Sequence, residues 1–178
     1  MTRMQDWQQW VHSPLAHWAQ YKPQALAIDD GHQQLSFAQL HAAVQQRMQA
    51  LDAANAPSTC LLDATQQPAA LITDFIATNA SGRCAALGDA AWPAAQHAQV
   101  QRSMDALAAQ TLVKTGACAR PAIDVRSPFY IGFTSGSTGQ PKGFRRHHRS
   151  WTESFRVCVD TFGSAAAGRG LAPGNLSH

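Results

Sequence analysis

The chain has 178 residues, of which 45% are apolar and only 14% are charged, with a net charge of +3. This composition excludes a disordered chain, which has few apolar residues and a high net charge, and the length favours about one domain. No apolar run approaches the ~20 residues of a membrane span, and the N-terminus lacks the apolar core of a secretory signal. We therefore expect a cytoplasmic protein without a membrane span.

The first third of the chain predicts a helix, a strand hairpin and a second helix. Residues 7–18 predict a helix that is interrupted near Pro14. Two strands are predicted at 25–28 and 34–37. The second helix is the clearest element, because its apolar residues recur at spacings of three and four, and Ser36 is its expected N-cap. These apolar residues are Phe37, Leu40, Val44, Met48 and Leu51.

Short apolar strands alternate with helices along the rest of the chain. Strands are predicted at 60–62, 84–87, 112–113 and 129–133, and helices at 67–80, 92–109 and 151–162. This alternation is typical of βαβ units, so we predict an α/β fold around a mainly parallel sheet. Ligands of such sheets bind at the carboxyl ends of the strands, which makes the loop after 129–133 the candidate site.

That loop, TSGSTGQPKG at 134–143, holds four hydroxyl side chains, three glycines and one lysine. Glycine lets the backbone approach a ligand, successive free N–H groups bind anions, and lysine adds a charge suited to phosphate. The charge distribution agrees, because residues 126–178 carry seven basic and two acidic side chains while residues 1–125 carry a net charge of −2. A flexible Gly/Ser linker is the alternative. The apolar strand before the loop and the Pro-Lys-Gly at its end argue against it.

Three familiar loop patterns do not fit. A Walker A loop needs Gly-Lys followed by Ser or Thr, but Lys142 lies between Pro141 and Gly143, and neither GxGxxG nor GxSxG is present. The stretch FTSGSTGQPKG, at 133–143, instead resembles the phosphate loop of the AMP-forming adenylating enzymes at every fixed position. These are the acyl-CoA synthetases, the adenylation domains of nonribosomal peptide synthetases and the luciferases. The segment 17–40, which contains LSFAQL, is similar to the family's N-terminal segment.

The resemblance implies the fold of the family's large N-terminal domain and a ligase reaction. A carboxylic acid would react with ATP and Mg²⁺ to give an acyl-adenylate and pyrophosphate, and a thiol such as coenzyme A would then accept the acyl group. No catalytic residue or metal ligand is implied within this chain. The implied ATP-binding residues are Thr134, Ser135, Gly136, Ser137, Thr138, Gly139, Lys142 and Gly143.

Family members are several times longer, and their adenine-binding, ribose-binding, metal-binding and C-terminal lysine motifs have no match here. We therefore expect residues 1–178 to be part of the N-terminal, AMP-binding domain, inactive alone, without the remainder of that domain or the small C-terminal domain. The sequence GFRRHHRSW at 143–151 favours a fatty or other aliphatic acid as substrate. An adenylation domain that loads a carrier protein, and a truncated non-catalytic remnant, are the alternatives.

Three further expectations concern the surface and the cysteines. The basic cluster Arg145–Arg149 is interpreted either as the solvated start of the next helix or as a phosphate contact to ATP or coenzyme A. It is too narrow for nucleic acid, which needs a broad basic surface with stacking aromatics. Uncovered apolar faces and strand edges predict self-association. The widely spaced cysteines, Cys60, Cys84, Cys118 and Cys158, are expected to be reduced core thiols.

Overall fold

The structure, a computed structural model, describes residues 9–115, 123–134, 141–164, 168 and 170–172, with the side chains of 107–115 excepted. Helices and strands alternate through these ranges, which confirms the predicted α/β class. The helices are α1 (Ser13–Tyr21), α2 (Phe37–Ala53), α3 (Pro68–Ala80), α4 (Ala94–Thr115) and α5 (His148–Phe162). The strands are β1 (Leu26–Asp29), β2 (Gln34–Ser36), β3 (Thr59–Leu62), β4 (Cys84–Leu87), β5 (Pro128–Thr134) and β6 (Lys142–His147).

The described strands form two sheets. β1 and β2 make the predicted antiparallel hairpin, and β3, β4, β5 and β6 lie side by side in that order. The β3–β4 and β4–β5 pairs are parallel and are connected by α3 and α4, whereas β6 returns antiparallel to β5. The predicted mainly parallel sheet is therefore confirmed, with one antiparallel strand added to it.

Helix α2 has the cap and the buried face that its sequence predicts. The Ser36 hydroxyl accepts a hydrogen bond from the Gln39 backbone N–H over 3.3 Å, and the Gln39 side chain accepts one from the Ser36 N–H over 2.8 Å. This reciprocal capping box satisfies two backbone donors that a helix start otherwise leaves open. The buried side chains of α2 pack in one cluster with residues of α1 and α3. That cluster contains Leu15, Leu40, Val44, Leu51 and Ala77.

Helices α3 and α4 cover the two faces of the main sheet at β4. Cys84 and Ala86 of β4 pack with Met104 of α4, while Ala85, which points to the opposite face, packs with Leu71 of α3. This division follows from the alternation of side chains along a strand. The sequences of β3 (TCLL) and β4 (CAAL) are mostly apolar, as expected for parallel strands covered by helices.

The turn between α3 and β4 closes the helix and buries an arginine. Gly82 has a φ of +80°, a left-handed conformation that favours glycine, and the next N–H, that of Arg83, donates to the Thr78 carbonyl over 3.0 Å. The Arg83 guanidinium is buried and donates to the Asp52 carboxylate over 2.7 Å and to the Ala56 carbonyl over 3.1 Å. This arginine thus ties the end of α2 to the start of β4.

Two predicted elements are wrong in the second half of the chain. The expected strand at 112–113 is part of α4, which continues to Thr115. Residues 106–114 contain several strong helix formers and neither glycine nor proline, so the helix continues to Thr115. Lys142–His147, expected to be loop, is strand β6, and α5 begins at His148 rather than at 151.

The N-terminal helix also differs from its prediction. Helix α1 begins at Ser13, and Pro14 lies in its first turn. The N–H groups of the first turn have no partner within the helix, so a proline is tolerated there. Pro14 therefore starts the helix and does not interrupt it. Residues 9–12 form bends and turns, and Trp7 lies outside the described residues.

Candidate functional site

The predicted phosphate loop connects β5 to β6, so it is the end of a β-hairpin. Of the eight predicted ATP-binding residues, the structure places Thr134 at the end of β5 and Lys142 and Gly143 at the start of β6. Thr134 and Lys142 are cross-strand partners, and the Thr134 hydroxyl donates to the Lys142 carbonyl over 3.4 Å. The other five lie outside the described residues: Ser135, Gly136, Ser137, Thr138 and Gly139.

The hairpin fixes where these residues lie relative to the sheet. Six residue pairs join β5 to β6, from Pro128 and His147 at one end to Thr134 and Lys142 at the other. The Thr134 end is the carboxyl end of β5, and β5 runs parallel to β4 and β3. Open α/β sheets bind ligands at this edge. The ladder therefore holds the base of the loop at the edge where an anionic ligand is expected.

Gly143 lies beside two apolar side chains of β5. A Cβ at Gly143 would lie 3.4 Å from Ile131 Cγ2 and 3.4 Å from Phe133 Cε1. Phe133 also packs edge-to-face on Trp92, with the ring centroids 5.1 Å apart. The two 3.4 Å separations are ordinary van der Waals distances, so the packing against Ile131 and Phe133 leaves room for a small side chain at Gly143.

The basic cluster Arg145–Arg149 divides into side chains with different surroundings. Arg149 lies 3.9 Å from the Glu153 carboxylate, which also pairs with Arg156 at 2.7 Å. Arg145 and Arg146 are exposed on β6, opposite Ile131 and Tyr130 of β5, and neither makes an ion pair with any described residue. Successive strand residues face opposite sides of a sheet, so these two guanidinium groups lie on opposite faces.

The two histidines of the same cluster are structural. His147 caps α5, because its Nδ1 accepts a hydrogen bond from the Ser150 N–H over 3.1 Å. The His148 side chain is 2% exposed, its ring stacks on Phe129, and its Nδ1 accepts a hydrogen bond from the Val11 N–H over 3.2 Å. The interpretation of the cluster as a solvated helix start therefore does not extend to His148.

Burial keeps His148 uncharged. Desolvation, with further contributions from the neighbouring charges of His12 and His147, lowers the pKa of His148 to about 4. A neutral imidazole can accept the Val11 N–H at Nδ1, whereas an imidazolium cannot, because both of its nitrogens carry protons. His148 thus attaches the segment before α1 to the start of α5.

A cavity of about 270 Å³ adjoins the hairpin, and no sequence motif predicted it. It lies between α4 and the β5–β6 pair, and Arg145 is at its polar side. The cavity was missed because its walls come from three elements that are far apart in sequence. Its lining residues are Gln99, Val100, Ser103, Met104, Ile131, Phe133, Pro141, Gly143 and Arg145.

The described cysteines are free thiols, but they are not all in the core. Cys84 is buried, Cys60 is partly buried and Cys158 is exposed, so the expectation of a core thiol is wrong for Cys158. Desolvation raises the pKa of Cys84 to about 12, and the nearby charge of Arg145 partly offsets this. Cys84 is therefore an unreactive thiol at neutral pH. Cys118 lies outside the described residues.

No group of three or more His, Cys, Asp or Glu side chains within the described residues could hold a metal ion. No helix among them is both long enough and apolar enough to cross a bilayer.

Known proteins resemble the chain in sequence and in fold, although no protein-family profile matches it. YhfT of Bacillus subtilis, an uncharacterized acyl-CoA ligase, is 54% identical over 56 residues, which are 32% of this chain and 12% of YhfT. The N-terminal subdomain of Klebsiella oxytoca NpsA, in complex with 3-hydroxyanthranilyl-AMSN, has a TM-score of 0.63 at 18% identity. That alignment covers 79% of this chain and 41% of the NpsA chain.

A third relative extends the likeness to peptide synthetases. Holo-PA1221, a nonribosomal peptide synthetase protein containing adenylation and PCP domains, is 26% identical with a TM-score of 0.63, over 84% of this chain and 29% of its own. The chain thus resembles an acyl-CoA ligase and adenylation-domain proteins, and it matches less than half the length of each of these three relatives.

Proposed function

We propose that this chain supplies the ATP phosphate-binding hairpin of a ligase that converts a carboxylic acid to an acyl-adenylate. The observation that carries the proposal is the β5–β6 hairpin, whose last residue pair, Thr134 and Lys142, lies at the carboxyl edge of a parallel sheet. A hydroxyl and an ammonium at the base of a glycine-rich loop suit the oxygens of a polyphosphate. The acyl-adenylate reaction itself is proposed from the resemblance to the AMP-forming adenylating enzymes.

The proposed reaction is a displacement at phosphorus. A carboxylate oxygen of the acid bonds to the α-phosphorus of ATP, and the bond from that phosphorus to pyrophosphate breaks. Negative charge increases on the departing pyrophosphate, so positioned cations and hydrogen-bond donors accelerate the step. We assign this role to Lys142 and Thr134, together with the residues at 135–139 that the family resemblance implies.

Mg²⁺ is proposed to bind together with the ATP phosphates. Mg²⁺ usually keeps several waters and binds through one or two carboxylates and the substrate phosphates. The resemblance to the family implies no metal ligand within residues 1–178, and we assign none. Bound Mg²⁺ would neutralise phosphate charge.

Coenzyme A is the proposed acceptor of the acyl group, and a fatty or other aliphatic acid the proposed substrate. The 54% identity over 56 residues with YhfT, an uncharacterized acyl-CoA ligase, supports coenzyme A as the acceptor, and the sequence GFRRHHRSW supports the aliphatic acid. A carrier protein is the second candidate, which the likeness to holo-PA1221 favours. A carrier domain encoded downstream in the same reading frame would identify a carrier protein as the acceptor. A cytoplasmic location suits both, because ATP is supplied there.

Titration of the 178-residue chain with Mg·ATP tests the proposal. We expect Lys142→Ala to weaken ATP binding by about 10-fold, the effect of losing one hydrogen bond to a charged group. Lys22→Ala is the matched control, because Lys22 follows α1 and its ammonium lies 5.0 Å from the Trp18 ring. Equal ATP affinity for the Lys142→Ala and Lys22→Ala variants would overturn the phosphate assignment.

A further inference from the structure

The cavity beside the hairpin has an apolar floor. Val100 and Met104 of α4 and Ile131 of β5 are buried there, and Phe133 completes the surface. Three of these side chains belong to the core cluster between α4 and the sheet, and Phe133 packs against it. An apolar group of a ligand placed on this floor would be removed from water, which favours binding.

The rim of the cavity is polar and carries one positive charge. Arg145 contributes a guanidinium, Gln99 a carboxamide and Ser103 a hydroxyl, and no acidic side chain is among the described residues that line the cavity. Arg145 makes no ion pair within the described ranges of the chain. An unpaired guanidinium over an apolar floor is complementary to a carboxylate, which it can bind through two parallel hydrogen bonds.

The register of β6 places that charge on this face of the sheet. Arg145 is paired with Ile131, whose side chain is part of the cavity floor, so the two lie on the α4 face. Arg146 is paired with Tyr130, whose ring packs near Phe75 of α3 on the other face. Adjacent arginines of the same strand therefore have different roles, and Arg146 is an internal control for Arg145.

We propose that this cavity is a binding site for an aliphatic monocarboxylate, whose carboxylate binds Arg145 and whose chain lies on Val100, Met104, Ile131 and Phe133. Pro141 and Gly143 also line the cavity, so the site adjoins the end of the phosphate hairpin. The binding itself does not depend on ATP chemistry. Only the identification of this acid with the ligase substrate rests on the proposed function.

Octanoate titrated into the 178-residue chain, followed by NMR or calorimetry, tests the site. We expect Arg145→Gln to weaken octanoate binding by about 10-fold, and Arg146→Gln to leave it within about 2-fold of the parent chain. Octylamine, which has the same chain and the opposite charge, should bind more weakly than octanoate. Ser103→Phe should block binding, because its ring would occupy the cavity.

Each outcome separates this site from the phosphate hairpin. Octanoate binding that is lost in Arg145→Gln and retained in Lys142→Ala supports the cavity even if no ATP binds. The proposal is overturned if the folded chain does not bind octanoate, or if Arg145→Gln and Arg146→Gln weaken it equally. Circular dichroism of each variant, compared with the parent chain, excludes loss of fold as the cause.

Discussion

The hydroxyl of Thr134 donates to the main-chain carbonyl of Lys142 across the last pair of the β5–β6 ladder, over 3.4 Å. The two residues flank the loop 135–141, so their contact sets the width of the hairpin where the loop begins. The same two residues carry the polar groups proposed to contact phosphate. Thr134 and Lys142 therefore both close the hairpin and carry the proposed phosphate contacts.

Replacement of Thr134 separates these two contributions. Thr134→Val keeps the β-branched shape and removes the hydroxyl, and Thr134→Ser keeps the hydroxyl. The 3.4 Å bond is long and Thr134 is exposed, so we expect Thr134→Val to change the free energy of unfolding by less than about 0.5 kcal/mol. ATP affinity should nevertheless fall by about 3- to 10-fold, and Thr134→Ser should restore most of it. Calorimetric titration measures the affinity, and equal affinities for the two variants would refute a role for the hydroxyl.

Stability should decrease in acid because of His148. Its folded-state pKa is about 4, below the ordinary value of 6.5, so the unfolded chain binds more protons than the folded chain between these values. The full contribution is present above pH 6.5 and is lost as the pH falls toward 4. The total loss from this one group is about 3 kcal/mol.

His148→Asn tests this assignment. Asparagine keeps an oxygen acceptor for the Val11 N–H and does not titrate. Urea unfolding at pH 7 and pH 5 should show a smaller pH dependence for His148→Asn than for the parent chain. His32→Asn is the control, because His32 is exposed in the turn between β1 and β2. If His148→Asn retains the parent's pH dependence, another group is responsible.

Much of the fold could be predicted from the sequence where one element contains its own signal. The spacing of Leu40, Val44 and Leu51 fixes the buried face of α2, and Ser36 with Gln39 marks its start. The apolar run 129–133 before a glycine-rich loop located the candidate site at the end of a strand. These features depend on residues within about one helical turn or one strand of each other.

The rest depends on tertiary contacts that no local pattern contains. Lys142–His147 is exposed along its length and becomes a strand because β5 offers it a partner. A short Leu-Val run at 112–113 suits a helix or a strand equally, and the helix before it decides. The cavity at Arg145 and the burial of His148 arise only when α4 and the segment before α1 pack in place.

The buried Arg83 should contribute more to stability than the exposed Arg47. The Arg83 side chain is 7% exposed and binds Asp52, whereas the Arg47 side chain is 45% exposed and binds Asp74, both over 2.7 Å. We expect Arg83→Met to lower the free energy of unfolding by about 2 to 3 kcal/mol, because the Ala56 carbonyl and Asp52 lose a donor. Arg47→Met should cost less than about 1 kcal/mol. Urea denaturation of both variants measures this, and equal losses would show that burial of Arg83 is unimportant.

Helix α5 is expected to drive self-association of the chain. Phe155 is 52% exposed and Phe162 is 74% exposed, and neighbouring β6 has no strand on its outer edge among the described residues. Exposed aromatic side chains and open strand edges both favour association between copies. The double variant Phe155→Ser/Phe162→Ser should shift sedimentation toward the monomer relative to the parent chain. Thr161→Ser, an exposed change on the same helix, is the control. A parent chain that sediments as a monomer at all concentrations would refute the expectation.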